Sequence, residues 1–462
     1  MTRALAAFSA SLIGLSVGCA GVSKERGHKE VASIVEQRTG YKTRWEQGPP
    51  TDAQIAGWVD GLLQGGLTRD RAVGIALVNS PSLQATYEEL GVSQADMVQA
   101  GLLSNPRLGG SLGFPLNEGK KEYEVSLVQD FLDIFVLPLR KRVAREQFIA
   151  DTLRVAHETL RVAGDVRKAV IALETSTQLV DLRREIVRAA QAGAELAERQ
   201  HEAGNITDLA LAQEQTMAEQ AKIDLSREEL AVATHREEVN RLLGLWGTRT
   251  GWKLSESLPA LAPEDPSVEH LESRAIRQRL DVDAARKQTL VLWNALELAR
   301  NSRYFGFVDV GIHAHQDPDG ARLLGPTLAL ELPIFDQRQA LIARLEAQYR
   351  QATRRLAALS VTARSEVRVA ATQLGAARWT AERYQKVLLP LRERVVANSQ
   401  LQYNAMQIGL AELLTAKQAQ IEAYRAYLEA LRDYWSAHVD LELAVGGRLA
   451  RAPSSAEKGG AK

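Results

Sequence analysis

The sequence predicts a mainly helical fold, duplicated within the chain and carrying a small β component. Three observations predict it. Ala, Leu, Glu, Arg and Gln are abundant while aromatic residues make up only 5%, a mix typical of long helices. Apolar residues recur in sevens along segments of roughly 60 residues, each about 90 Å long if helical. Two short segments that alternate at period two sit at matching places about two hundred residues apart.

The chain begins with Arg3 as its only charge before an apolar run, Ala4 to Val17, that ends at the single cysteine, Cys19. The run is too short to span a bilayer stably and suits a signal peptide over 1–18. Small residues, Ser16 and Gly18, precede Cys19, so "SVGC" resembles a bacterial lipobox in which Cys19 becomes a diacylated N-terminus. A mature chain without a free thiol suits an oxidising compartment. Ala20, rather than Asp, follows the cysteine and points to the outer membrane by resemblance to known sorting rules.

Lys plus Arg and Asp plus Glu balance at 57 each. Nothing in that balance calls for nucleic acid or for a disordered acidic chain. No later stretch reaches eighteen uninterrupted apolar residues, so a membrane crossing by this chain requires strands that close into a barrel.

Residues 19–67 read as a polar tether, with "QGPP" at 47–50. "LTRDRAVGIALVNSP" opens a helix with Thr68 as N-cap and Asp70 in its first turn. Ser80 and Pro81 restart the helix, which is expected to run to Asn105-Pro106. A hairpin follows over 105–131: Leu108, Leu112, Phe114 and Leu116 share one face, and Arg107, Ser111 and the glycines the other. Beyond "DIFVLPLRKR" a very long helix carries Val166, Leu173, Val180, Val187 and Ala194 in sevens, as a coiled-coil seam would. The turn "HEAGNITDLA" leads to another helix with Leu211, Ala218, Leu225, Val232 and Val239 in register.

The plan then repeats. A connector over 247–268, flanked by Trp246 and Trp252 as packing anchors, separates repeat 1 (68–246) from repeat 2 (269–447). "RAIRQRLDVDAA" aligns with "VGIALVNSPSLQA", a second hairpin occupies 304–335, and another long helix carries Val367, Leu374, Ala381, Leu388 and Val395. Pro390 is expected to kink that helix or start a fresh segment. The turn "NAMQIGLAELLTA" leads to a last helix with Leu414, Ile421, Leu428 and Trp435, before a disordered tail over 448–462.

In this duplicated order the chain resembles the TolC-type outer-membrane efflux factors. The carriers are the "NSPSLQATYEELGVSQADMVQAGLLSNP" block, "ELPIFDQRQA" after the fourth strand, and the paired turns "GNITDL" and "GLAELLTA". The resemblance implies a homotrimer whose subunits each give four strands to one 12-stranded barrel and their helices to a long periplasmic tube. It implies an exit duct for small molecules or metal ions that docks, through a periplasmic adaptor, onto an inner-membrane pump of the resistance-nodulation-division type. The lipidated N-terminus fits that branch. Strand count supports oligomerisation independently, because two hairpins cannot close a barrel alone.

On the third strand Asp309, His313 and His315 share one face, opposite Val308, Val310, Ile312 and Ala314, which are assigned to lipid. They read as polar residues wetting a barrel lumen rather than as a metal site. In the resembled family, acidic residues at the helix-ending turns line the periplasmic entrance. Here Asp208 and Glu412 stand there, with Thr415 where a second acid would follow Glu412. The same two acids equally serve as helix N-terminal charges. No nucleophile elbow, phosphate loop, HExxH or CxxC is present, so neither catalysis nor a cofactor is indicated. The alternative reading is a periplasmic coiled-coil adaptor or structural lipoprotein, which leaves the two hairpins unexplained.

Overall fold

The computed structural model describes residues 26–45, 49–114, 116, 121–304, 306–317 and 319–449. Cys19, the signal-peptide run and the tail beyond Leu449 lie outside the described residues. The chain divides into two compact units. The first is formed by Met1–Val31, Tyr87–Val155 and Asp281–Leu359, and the second by Ala32–Thr86, Ala156–Leu280 and Ser360–Lys462.

In chain order the elements are α1 (Arg26–Thr39), α2 (Pro49–Gln64), α3 (Arg69–Asn79), α4 (Pro81–Gln99), β1 (Arg107–Gly113), β2 (Glu122–Asp130), α5 (Leu132–Glu202) and α6 (Asp208–Leu243). A 3-10 turn (Gly247–Gly251) begins the connector. Then come α7 (Leu271–Gln278), α8 (Leu280–Asn301), β3 (Val308–Gln316), β4 (Arg322–Leu330), α9 (Gln339–Arg383), a π-turn (Tyr384–Leu388), α10 (Leu389–Asn404) and α11 (Leu410–Val445).

The first unit is organised by a four-stranded antiparallel sheet of order β1-β2-β3-β4. Its register pairs Leu108 with Leu127, Leu127 with Ile312 and Ile312 with Pro326, so one face is a continuous apolar surface. Gly109 and Gly113 face with Arg107 and Ser111, but Gly110, opposite Val125, lies on the leucine face. The helix after β2 starts earlier than the sequence suggested. Asp130 Oδ1 accepts the Leu132 N–H at 2.9 Å, which sets the first turn of α5 ahead of Pro138. Conversely α4 ends at Gln99, before Asn105-Pro106, where the Gly101 N–H turns back to the Val98 carbonyl at 2.9 Å.

The second unit is a packed helical layer. Thr68 caps α3 by accepting the Arg71 N–H at 3.1 Å, as its position before Asp70 predicts. Ser80 and Arg279 are equivalent breaks: each is extended and turns its N–H back, to the Ala76 and Ala275 carbonyls respectively. The first seam is buried, with Val166, Leu173 and Val180 at 5% exposure or less. On the other side Val367, Leu374, Tyr434 and Leu441 form one cluster, and Ile186, Ala190, Ala218, Ala221 and Ile421 another. Gly164 admits close approach of α5 to α11, since a Cβ there would stand 2.5 Å from Leu443 Cδ1.

Three expectations change. The tether contains two helices, α1 and α2, whose buried Val35, Ile55 and Val59 belong to this unit. Arg448, expected in a disordered tail, is fixed: its carbonyl accepts from Arg274 at 2.9 Å and its guanidinium lies over the Tyr41 ring. Of the two tryptophans, Trp252 is the anchor, donating to Asn240 Oδ1 at 2.8 Å, whereas Trp246 is 80% exposed.

The third seam also shifts. Pro390 has no N–H to give to the preceding turn. The helix absorbs this with a π-turn in which the Leu389 N–H bonds the Tyr384 carbonyl. One residue is thereby inserted into the repeat. Beyond Ala381 the inward positions become Leu389, Val396 and Tyr403 in place of Leu388 and Val395. Leu389→Ala should therefore cost about 2–5 kcal/mol, and Leu388→Ala clearly less, measured by thermal unfolding of the purified protein. Equal losses would contradict the shifted register.

Candidate functional site

Two regions carry clusters of polar groups, one in each unit.

On the sheet, strand alternation places Asp309, His313 and His315 together on the face opposite Val310, Ile312 and Ala314. Cross-strand partners complete a polar surface: Ser126 beside His313, Glu124 beside His315, and Thr327 beside Gly311. His313 Nδ1 and Thr327 Oγ1 hydrogen-bond at 3.0 Å. His315 donates from Nε2 to Asp317 Oδ1 at 2.7 Å, with Glu122 Oε1 at 3.6 Å. Asp309 stands directly opposite Asp130, and Arg107 reaches across β2 from β1 to pair with its Oδ2. That contact neutralises a like-charge pair which sequence spacing alone does not bring together. Among the described residues, no three His, Cys, Asp or Glu side chains converge closely enough to hold a metal ion.

The opposite face is apolar and open. Leu108 is 76% and Leu324 78% exposed, and Leu112, Val125, Ile312 and Leu328 are exposed with them. A contiguous apolar surface of this kind needs a cover or a lipid solvent. None of the described helices is long and apolar enough to cross a membrane.

In the second unit, the turns after α5 and α10 are copies of one another. Asn205 N–H bonds the Gln200 carbonyl at 2.8 Å, and Gln407 N–H bonds the Gln402 carbonyl at 2.9 Å. Gly204 and Met406 occupy the matching left-handed position, at φ 74° and 55°. Glycine accepts that conformation freely and methionine does not.

This geometry separates the two acids. Asp208 aligns with Leu410 and Glu412 with Ala210, so the two acids are two residues, about half a helical turn, out of step. Asp208 opens α6 after the Thr207 cap and accepts from His201 Nε2 at 2.6 Å. Glu412 lies in the first turn of α11 behind Gly409, a cap without a side chain. Glu412 and Thr415 share a cleft with Arg392 of α10, whose Nε is buried and without a hydrogen-bond partner. Thr415 Oγ1 donates to the Ala411 carbonyl at 2.8 Å. Among the described residues the Glu412 carboxylate has no hydrogen-bond or ion-pair partner, whereas Asp208 is tied to a histidine. The sequence pattern gave no sign of the His201 contact, although the seven-residue spacing across a tight turn could have suggested it.

Comparison with known proteins gives a consistent likeness. Residues 72–245 match the family of outer membrane efflux proteins. Over 397 residues the chain is 25% identical to the cobalt-zinc-cadmium resistance protein CzcC of Cupriavidus metallidurans, covering 83% of this chain and 90% of that protein. Among solved structures, CusC matches with a TM-score of 0.70 at 18% identity, over 82% of this chain and 92% of its own. The Campylobacter jejuni CmeC outer membrane channel matches at 0.72 and 14% identity, over 90% and 92%. The chain thus has the fold of these outer-membrane channels, and its residues 72–245 carry the likeness to outer membrane efflux proteins.

The pairing of Asp208 with His201 and the lack of a partner for Glu412 give the two acids different weights. Glu412→Ala should change cation block or selectivity in planar-bilayer conductance with little loss of folded protein. Asp208→Ala should do so more weakly. Unchanged conductance together with a lower unfolding temperature would assign both acids to helix capping.

Proposed function

We propose that this outer-membrane efflux channel works as a lipid-anchored homotrimer, the exit duct of a tripartite pump. The sheet carries the argument. It combines an uncovered apolar face, a polar face and two strand edges unpaired within the chain. Three copies pooling four strands each close a 12-stranded barrel, bury every edge, turn the leucine face to lipid and enclose Asp309, His313 and His315 in a wet lumen. Cys19 supplies the lipid anchor. The α5–α6 and α10–α11 hairpins supply the periplasmic tube, whose mouth carries Asp208, Glu412 and Thr415 in three copies.

The partners of such a duct are a periplasmic adaptor and an inner-membrane pump of the resistance-nodulation-division type. Divalent transition-metal ions are the substrate class the CzcC likeness favours. Cells lacking this protein should become sensitive to cobalt, zinc or cadmium and accumulate the ion. Sensitivity to organic dyes alone would replace the metal reading while leaving the duct intact.

The barrel has its own test. Ile312→Arg puts a charge on the lipid face and should cost about 2–4 kcal/mol near the midplane. His313→Arg, one residue along, faces water and should assemble normally. Equal loss of heat-modifiable trimer from both variants would remove the assignment of faces.

A further inference from the structure

Glu174 of α5 has a fully buried side chain in the second unit, and neither of its carboxylate oxygens has a hydrogen-bond partner. A buried charge without donors is costly. Among the described residues the only cation facing it is Arg69, from the first turn of α3, with Nε 3.4 Å from Glu174 Oε1. That guanidinium is shared. Glu256 of the connector accepts the Arg69 backbone N–H at 3.2 Å and lies 3.5 Å from the same Nε. Two carboxylates therefore compete for one arginine, one from the core and one from the connector.

The backbone around this trio is the seam where the connector joins α3. Leu67 N–H bonds the Lys253 carbonyl at 2.8 Å, and Ser255 N–H bonds the Leu67 carbonyl at 3.1 Å. Arg69 and Glu256 each lie two residues beyond this bridge of Leu67 with Leu254. Leu258, a little further on, packs in a cluster with Ile171 of α5.

We infer that Glu174, Arg69 and Glu256 form a proton-operated clasp fastening the connector to α3 and α5. With a proton on Glu174, Arg69 serves Glu256 and the connector is held. With Glu174 ionised, Arg69 is drawn toward the core and its hold on Glu256 weakens. Burial, reinforced by the Glu256 charge and opposed by Arg69, pushes the Glu174 carboxyl up to about 7, so the clasp operates near neutral pH. The folded state then binds this proton more tightly than the unfolded chain. The stability it contributes is complete below about pH 4.5 and is lost as pH rises through about 7.

The test uses the full-length protein purified in detergent. Infrared difference spectra between pH 5 and pH 9 should contain a protonated-carboxyl band that titrates near neutrality and is absent in Glu174→Gln. Over the same range the unfolding temperature of the wild type should fall relative to that of Glu174→Gln. Glu256→Gln, which removes the competing charge and leaves the core intact, should move the titration to lower pH. This second variant keeps the test decisive if Glu174→Gln does not fold. A band that persists in Glu174→Gln, no band in the wild type, or a midpoint unmoved by Glu256→Gln would each overturn the clasp.

Discussion

A strand edge cannot be left unpaired in hydrocarbon, because its N–H and C=O groups find no water there. The sheet has two such edges within the chain, on β1 and β4. Its leucine face, meanwhile, has no cover in the first unit. The edges call for other strands and the face for lipid, and the proposed closed barrel of several copies would answer both. A polar lumen then follows from the pleat, since alternation sends Ser126, His313 and Thr327 away from the face that holds Leu127 and Ile312. Moving the pairing by one residue would exchange the two surfaces entirely.

In the helical unit the matching constraint is the repeat of seven. A seam holds as long as each inward residue follows the last by two turns. Val166, Leu173 and Val180 keep to this, as do Val367, Leu374 and Ala381. A proline would break such a seam if the helix stayed strictly α. The π-turn at Tyr384–Leu388 accepts the missing donor and advances the inward stripe by one residue, so Leu389 is buried and Val395 is 45% exposed. The cost of Pro390 is met locally, and the helix beyond it resumes the same period in a new phase.

What the sequence made legible follows from which physics is local. The Thr68 cap, the first three strands and the first halves of the seams rest on neighbours within a few residues and stand close to where the pattern put them. The fourth strand, expected over 325–335, is instead Arg322–Leu330. The helices of the supposed tether were missed because their apolar residues are few, although Val31 and Val35, and Ile55 and Val59, are spaced as on one helix face. Pro390 announced a disturbance but not its geometry, since heptads carry no information on an inserted backbone residue. Long-range charge contacts were beyond reach: Arg107 meets Asp309, and Arg69 meets Glu174, only because the fold brings distant segments together. At the turns the sequence correctly brought Asp208 and Glu412 to equivalent loops. Their difference in phase needed the backbone hydrogen bonds, which align Asp208 with Leu410 and Glu412 with Ala210.

The same contacts bear on how a duct handles its cargo. Conduction requires that a passing ion be attracted enough to enter and held too weakly to stay. On the lumen-assigned face the groups able to bind a cation are already engaged by the protein: His313 by Thr327, His315 by Asp317, Asp309 by Arg107. Each engagement lowers the affinity the side chain could offer a cation while keeping the surface polar and wet. At the turns of the second unit the arrangement differs, for Asp208 is engaged by His201 and, among the described residues, Glu412 has no partner. In the proposed threefold assembly, one carboxylate per subunit would act through its field at the entrance.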